Sequence, residues 1–281
     1  PVCGKPDWCL ASPDGARVLC MRQPSDRPKP NGGWWHDRED RDTRRREAAP
    51  VVPIRAAAPL ADPDLLHDAY TALLHHPAFA LCTAHRENLL GRGLDAAAIA
   101  ANGYATMPTD YRSRTQALRD VGERVGNLSG VPGVFRNRNG QAEYPALAGA
   151  AGLLVPVRDY AGRIRRNQVR PDRRPKNGGK YQWVSSANRE GGTGSGAPLH
   201  WTLAGDREGA LWLTEGPLKG DTAAHLSGHR FLCFAGAHVG QATRLAEELQ
   251  AVGWPADRPL VLALDADRAT NRNVSRAQEA I

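Results

Sequence analysis

The chain has 281 residues, room for two modest domains or for one domain with small modules, and a 41% apolar share that supports a real core. Its formal net charge is +7; no run of eighteen apolar residues occurs, so no membrane helix is expected, and no charged-then-apolar stretch opens the sequence. Five cysteines in this length make no disulfide framework, and the crowding of three into the first twenty residues points to metal and to a reducing cytoplasm.

The sequence begins at Pro1 inside a cysteine motif and stops at Ile281 inside a helical pattern, so it is read as a piece of a longer protein. Residues 1–22 carry Cys3, Cys9 and Cys20 among turn residues. Three thiolates suit structural zinc, which wants four ligands; the fourth is expected from a cysteine ahead of Pro1, with His36 as a distant substitute. Residues 23–60 combine Pro, Gly and dense opposite charges (DREDRDTRRRE), the composition of a linker. Trp8, Trp34 and Trp35 either stack on bases or pack a small ribbon.

Helical signals begin at Asp62-Pro63, a cap followed by proline, and Leu65, Leu66, Ala69, Tyr70, Leu73 and Leu74 then form one apolar face. A second helix is expected from Asp95 to Asn102-Gly103, and a third over Ser113–Val125. His67, His75, His76 and His85 show no metal-ligand spacing and are read as ordinary histidines; Cys82 and Cys233 are read as core residues. From Gly152 the period changes: GLLVPV and RIRRNQV flank the turn DYAG and predict a hairpin with a basic outer face. Between Arg158 and Lys180 nine Lys/Arg face two Asp, a surplus that matches the net charge of the whole chain and attracts polyanions. The run EGGTGSGAP lacks the Gly-Lys-Ser/Thr ending of a phosphate loop and is expected to be a flexible loop.

The last part alternates strand and helix: ALWLT (210–214), a helix over 218–227, FLCFA (231–235), a helix over 240–252, and LVLAL (260–264). Apolar strands with helical crossovers predict a parallel sheet covered on both sides. In such sheets ligand-binding residues gather beyond the carboxyl ends of the strands. Glu215 follows the first strand, and Asp265 and Asp267 follow the third. Three converging carboxylates repel one another unless a cation separates them, and hard oxygen ligands suit Mg²⁺ or Mn²⁺. Such an ion serves phosphoryl transfer.

The run LWLTEGPLKGD, the turn FAGAHVG and LALDADRATNRNV resemble the three signature segments of the Toprim domain, which occurs in bacterial DnaG-type primases, phage primase-helicases, topoisomerases and some nucleases. The resemblance implies that Glu215 is the acid of the first segment, Gly216 its turn glycine, and Asp265 and Asp267 the metal-binding pair. Lys219 stands where many primases carry another acid, a departure similar to the EGxxK pattern of Toprim-like domains on plasmids and mobile elements. Upstream, LGRGLDAAAIAANGYATMP and LLVPVRDYAGRIRRNQVRP with GGKYQW resemble the primase polymerase core; this implies that Arg158 and Lys180 line a groove for template or nucleotide phosphates. The cysteine segment resembles the zinc ribbon at the front of primases.

The expected architecture is α/β: a small zinc ribbon (1–22), a linker (23–60), a mixed α+β primase-core subdomain (61–206) and a Toprim parallel α/β domain cut short at the end (207–281). The implied activity is synthesis of RNA primers on single-stranded DNA from nucleoside triphosphates, with a replicative helicase as partner and no membrane. The alternatives are a Toprim metal-dependent nuclease and a non-catalytic DNA-binding replication or mobilisation protein.

Overall fold

In the computed structural model the described residues are 3, 9–12, 17–29, 33–37, 58–139, 142–174, 179–234 and 240–264. The chain divides into two compact units, Pro1–Pro53 and Ile54–Ile281.

The first unit holds an antiparallel sheet of β1 (Cys9–Ala11), β2 (Arg17–Cys20) and β3 (Trp34–Asp37), in that order. Cys9 lies opposite Cys20 in the register, and Cys20 opposite Trp34. The sheet therefore runs past residue 22: β3 lies within the stretch read as linker, where Trp34–Asp37 pairs with β2.

The second unit opens with α1 (Pro63–Leu74), α2 (Thr83–Leu90) and α3 (Ala96–Asn102). Asp62 caps α1 and Asp95 caps α3 by accepting backbone N–H groups, and Gly103 closes α3 in the left-handed conformation, as the capping residues predict. Cys82, expected in the core, is exposed: it precedes the first turn of α2, whose one buried residue is Leu89. Next come β4 (Ala105–Met107), α4 (Tyr111–Val125) and an antiparallel hairpin of β5 (Val134–Asn139) and β6 (Ala142–Leu147).

β7 (Gly152–Arg158), β8 (Ile164–Pro171) and β9 (Gln182–Trp183) join β4 in a sheet ordered β4-β7-β8-β9. Every residue of β7 is buried. Its alternating side chains feed two separate cores, Leu154 packing with Leu66, Leu118 and Val169, and Leu153 and Val155 with Leu89, Ile99 and Leu218. A two-faced strand of this kind reads in sequence as the continuous apolar run GLLVPV.

The EGGTGSGAP segment is packed, not flexible: Gly192, Thr193 and Ser195 are buried. Thr193 Oγ1 donates to Ala58 O (2.9 Å), and Arg166 Nε donates to Ser195 O. A Cβ at Gly192 would fall 2.0 Å from Ser186 O, so the glycines there serve close approach.

The final sheet contains β10 (His200–Trp201), β11 (Asp206–Glu215), β12 (His229–Phe234) and β13 (Leu260–Leu262), ordered β10-β12-β11-β13. The crossovers are α5 (Pro217–Ser227) and α6 (Gly240–Ala251). β11 is parallel to both β12 and β13, as the strand-helix alternation predicts, whereas β10 adds an antiparallel edge that no sequence pattern announced. Leu211, Leu213, Leu232, Phe234 and Leu245 form the core beneath this sheet.

Candidate active site

The chain passes from β11 to β12 on one side and then to β13 on the other, so the order β12-β11-β13 reverses beside β11. The carboxyl ends of β11 and β13 therefore form a topological switch point, the place where open α/β sheets bind ligands. Glu215 is the last residue of β11, level with Phe234 of β12. Gly216 follows at φ 77° and ψ 126°, and its N–H donates to Phe234 O (2.6 Å). That positive φ turns the chain into α5, with Pro217 at its first position.

On the other side of β11 the parallel register pairs Leu213 with Leu262. Ala263 N donates to Leu213 O (2.8 Å), and Thr214 Oγ1 donates to Ala263 O (2.8 Å). The described chain here ends at Leu264. Asp265 and Asp267 lie outside the described residues, so of the three expected carboxylates Glu215 alone has a described position.

Lys219 is exposed in the first turn of α5. One residue on, Gly220 presses against β12: a Cβ there would fall 2.0 Å from Cys233 Sγ. Cys233 is a buried core residue as expected, and that burial pushes its thiol well above the usual range.

Asp221, two residues beyond Lys219, is an acidic side chain to which the sequence analysis gave no role. It is 3% exposed. Its Oδ2 accepts from Tyr104 Oη (2.8 Å), and its Oδ1 lies 2.9 Å from His200 Nε2. His200 Nδ1 accepts the backbone N–H of Arg158 (3.0 Å), so the ring proton resides on Nε2 and points at Asp221. Burial, then the neighbouring Asp221, raises the Tyr104 hydroxyl well above its ordinary pKa. The network ties α5 to β10, to β7 and to the segment after α3. Nothing in the local sequence marks it, since its members are far apart in the chain.

The two basic residues expected in a phosphate groove are placed unlike one another. Arg158 is 7% exposed and donates to Gly162 O (3.1 Å) and Asn102 O (2.9 Å); burial lowers its pKa while Asp221 opposes that shift. Its guanidinium thus braces backbone carbonyls in place of facing solvent. Lys180 is exposed, its Nζ 6.0 Å from the Tyr181 ring centre. The hairpin is likewise less basic outside than expected: Arg166 is buried at 5%, and Arg163 and Arg165 both pair with Asp159 (2.9 and 3.3 Å).

In the first unit, the ligand atoms of Cys3, Cys9 and Cys20 all lie within 4.8 Å of one another. Cys3 Sγ and Cys9 Sγ are 3.5 Å apart, and Cys20 Sγ accepts N–H bonds from Arg22 (3.5 Å) and Gln23 (3.3 Å). Sulfur ligands about 2.3 Å from a tetrahedral zinc stand roughly 3.8 Å apart, so the cluster fits three corners of such a site. His36 is not part of it: its Nε2 lies 2.9 Å from Gln23 O. No other group of three or more metal-ligating side chains occurs among the described residues. His76 pairs with Asp120 (3.0 Å) and His85 with Asp172 (2.8 Å). No described helix is long and apolar enough to cross a membrane.

No family model and no curated protein matches the chain. Solved structures do match. The zinc-binding and RNA-polymerase domains of the Aquifex aeolicus primase align with TM-score 0.52 at 16% identity, covering 77% of this chain and 52% of that one. A DNA primase domain from Pseudomonas aeruginosa aligns with TM-score 0.51 at 19% identity, covering 78% and 65%. The RNA-polymerase domain of Mycobacterium tuberculosis primase DnaG aligns with TM-score 0.51 at 17% identity, covering 78% and 72%. The chain therefore spans about half to two thirds of the length of the first two of these. The likeness is one of fold: a mixed α/β chain similar to bacterial primase cores, with three cysteines gathered within metal-ligand reach.

Proposed function

We propose that this chain is the zinc-ribbon and polymerase portion of a DNA primase, which extends RNA primers on single-stranded DNA through a Toprim-type site. The observation that carries the reading is the switch point between β11 and β13: Glu215 ends one strand, and the neighbouring parallel strand delivers the chain at Leu264, one residue before Asp265. The likeness in fold to bacterial primase cores supports it independently.

In this reading Asp265 and Asp267 would anchor Mg²⁺ or Mn²⁺, Glu215 would help hold the ion or assist proton transfer, and the ion would offset charge on the triphosphate. The 3′-hydroxyl oxygen of the primer bonds to the α-phosphorus of the incoming ribonucleotide as the bond to the β-phosphate bridging oxygen breaks. Pyrophosphate leaves, and the hydroxyl proton passes towards the Glu215 carboxylate. Lys219, exposed on the first turn of α5, and Lys180 supply cations for the phosphates. Arg158 supports the site from within, by holding β7 to the end of α3. Cys3, Cys9 and Cys20 would hold a zinc ion, which would stabilise the ribbon. A replicative helicase and the mobile-element setting belong to the same reading.

The test incubates the protein with single-stranded DNA, labelled ribonucleotides and Mg²⁺, beside Asp265→Ala and Glu215→Gln variants. Short RNA products that both variants lose are expected. Template cleavage in place of RNA products would make the site a nuclease, and template binding with neither product would leave only a DNA-binding protein.

A further inference from the structure

Away from the switch point, α4 and the β5–β6 hairpin enclose a cleft of about 350 Å³. Its floor is apolar, formed by Leu118, Leu128, Val134, Phe135 and Pro145. Arg119 of α4 and Arg136 of β5 stand on its walls, and Tyr144 borders both this cleft and a second cavity along α4 that also holds Tyr111 and Arg112. Arg189 lies 5.3 Å over the Phe135 ring.

Acidic side chains at the same place are already engaged. Glu143 pairs with Arg138 at 2.7 Å. Asp110 caps α4, accepting from Arg112 N, Ser113 N and Ser113 Oγ, which hold its carboxyl below the ordinary range. Arg119 and Arg136 are both exposed, and among the described residues no hydrogen bond or ion pair holds either guanidinium. The cleft thus combines an uncompensated cationic wall with an apolar floor.

We propose that this cleft is an accessory site for single-stranded nucleic acid: a base lies on the apolar floor beside Tyr144, and Arg119 and Arg136 hold the flanking phosphates. The site rests on the polymerase reading above only for its biological setting. A single strand offers both halves of the required chemistry, anionic phosphates and unstacked aromatic faces. A duplex keeps its bases stacked inside and would leave the floor unused. Arg112 and Arg119 are two helical turns apart on α4, about 10.5 Å at 1.5 Å per residue, so the cationic row runs on along the strand's path.

The experiment measures anisotropy of a labelled oligo-dT of about 20 nucleotides, longer than a single site of roughly 4–16, with the whole protein across a salt series. Arg119→Glu with Arg136→Glu should weaken binding by about tenfold or more and flatten the log-affinity against log-salt slope by about 1.4, the share of two phosphate contacts on a single strand. The corresponding double Lys variant should keep the slope. An iodouracil-bearing strand should cross-link to the Tyr144 peptide. The assignment is overturned if the Glu variant, melting as the wild type does, binds with unchanged affinity and slope. It is equally overturned if polyglutamate displaces the strand at matched charge, which would make the cleft a site for acidic peptides. A chain that binds through the cleft yet makes no RNA refutes the polymerase reading alone, and one that makes RNA while the Glu variant binds normally refutes the cleft alone.

Discussion

Asp221 Oδ1 lies 2.9 Å from His200 Nε2, with both side chains at most 2% exposed. Tyr104 donates to the other carboxylate oxygen, so one acid satisfies two buried donors from distant parts of the chain. Removing it leaves both without an acceptor and takes away the negative charge that opposes the effect of burial on Arg158. Asp221→Ala is expected to cost about 2–6 kcal/mol of stability, about 1–3 kcal/mol for each of the two buried donors left unsatisfied. Urea unfolding checks this, and a loss below about 1 kcal/mol, the range of an ordinary surface change, would show the network to be dispensable.

The alkaline limb of stability follows from the same neighbourhood. Burial raises the Tyr104 and Tyr70 hydroxyls above their ordinary values, and Cys233 likewise. The folded state keeps these protons where the unfolded chain releases them, so their stabilisation is complete below the unfolded pKa values and falls away above them. Stability should start to decline near pH 9 through the thiol and steepen above about pH 10, each fully shifted group contributing about 1.4 kcal/mol per pH unit. Tyr104→Phe should remove one such increment from the slope between pH 10 and 11, although it loses the bond to Asp221. An unchanged slope in that variant would mean that Tyr104 ionises freely in the fold.

Much of this arrangement was legible beforehand, for identifiable reasons. The capping residues Asp62, Asp95 and Gly103 act on their own neighbours, so the helix limits they imply hold. The strands ending at Glu215 and Phe234 each carry a short apolar run, ALWLT and FLCF, and the parallel sheet follows from the helices between the strands. What sequence could not supply is pairing at a distance. The β10 edge is two residues long, β3 is recruited from a polar stretch, and the Tyr104–Asp221–His200 network spans more than a hundred positions. Charge counting misled for a similar reason: a basic tally cannot tell Arg158 and Arg166, turned inward onto carbonyls, from Lys180 at the surface.

Close packing between α5 and β12 gives a prediction with its own control. Gly220→Ala would drive a methyl into Cys233 Sγ, and overpacking of this kind costs about 1–3 kcal/mol. Cys233→Ala frees that space, so the double variant should recover most of the loss relative to Cys233→Ala alone. Thermal melts of the four proteins form the cycle, and strictly additive effects would show that the two side chains do not meet.

The cysteine cluster predicts metal content directly. Protein purified without chelator should carry zinc, and Cys9→Ser or Cys20→Ser should reduce it to background, since either removes a sulfur from the 4.8 Å group. Elemental analysis reads this independently of activity. His36→Ala should leave zinc unchanged, because His36 Nε2 already lies within hydrogen-bonding distance of Gln23 O. Zinc loss in that variant would bring the histidine into the ligand set.

Two glycines at opposite ends of α5 separate backbone geometry from function. Gly216 (φ 77°, ψ 126°) and Gly228 (φ 73°, ψ 2°) both have open space where a Cβ would stand, so alanine at either meets no clash. The remaining cost is conformational, about 1 kcal/mol or more for a left-handed residue and of order 1–3 kcal/mol where ψ is also extended. Gly216→Ala should therefore destabilise more than Gly228→Ala. It should also disturb the site, because relief of the strain shifts the turn that fixes Glu215 against Phe234. Gly228→Ala, at the far end of the helix, should lower the melting temperature and leave RNA synthesis intact at temperatures where the protein is folded. Equal loss of synthesis in both variants would trace the effect to general instability and not to the turn after Glu215.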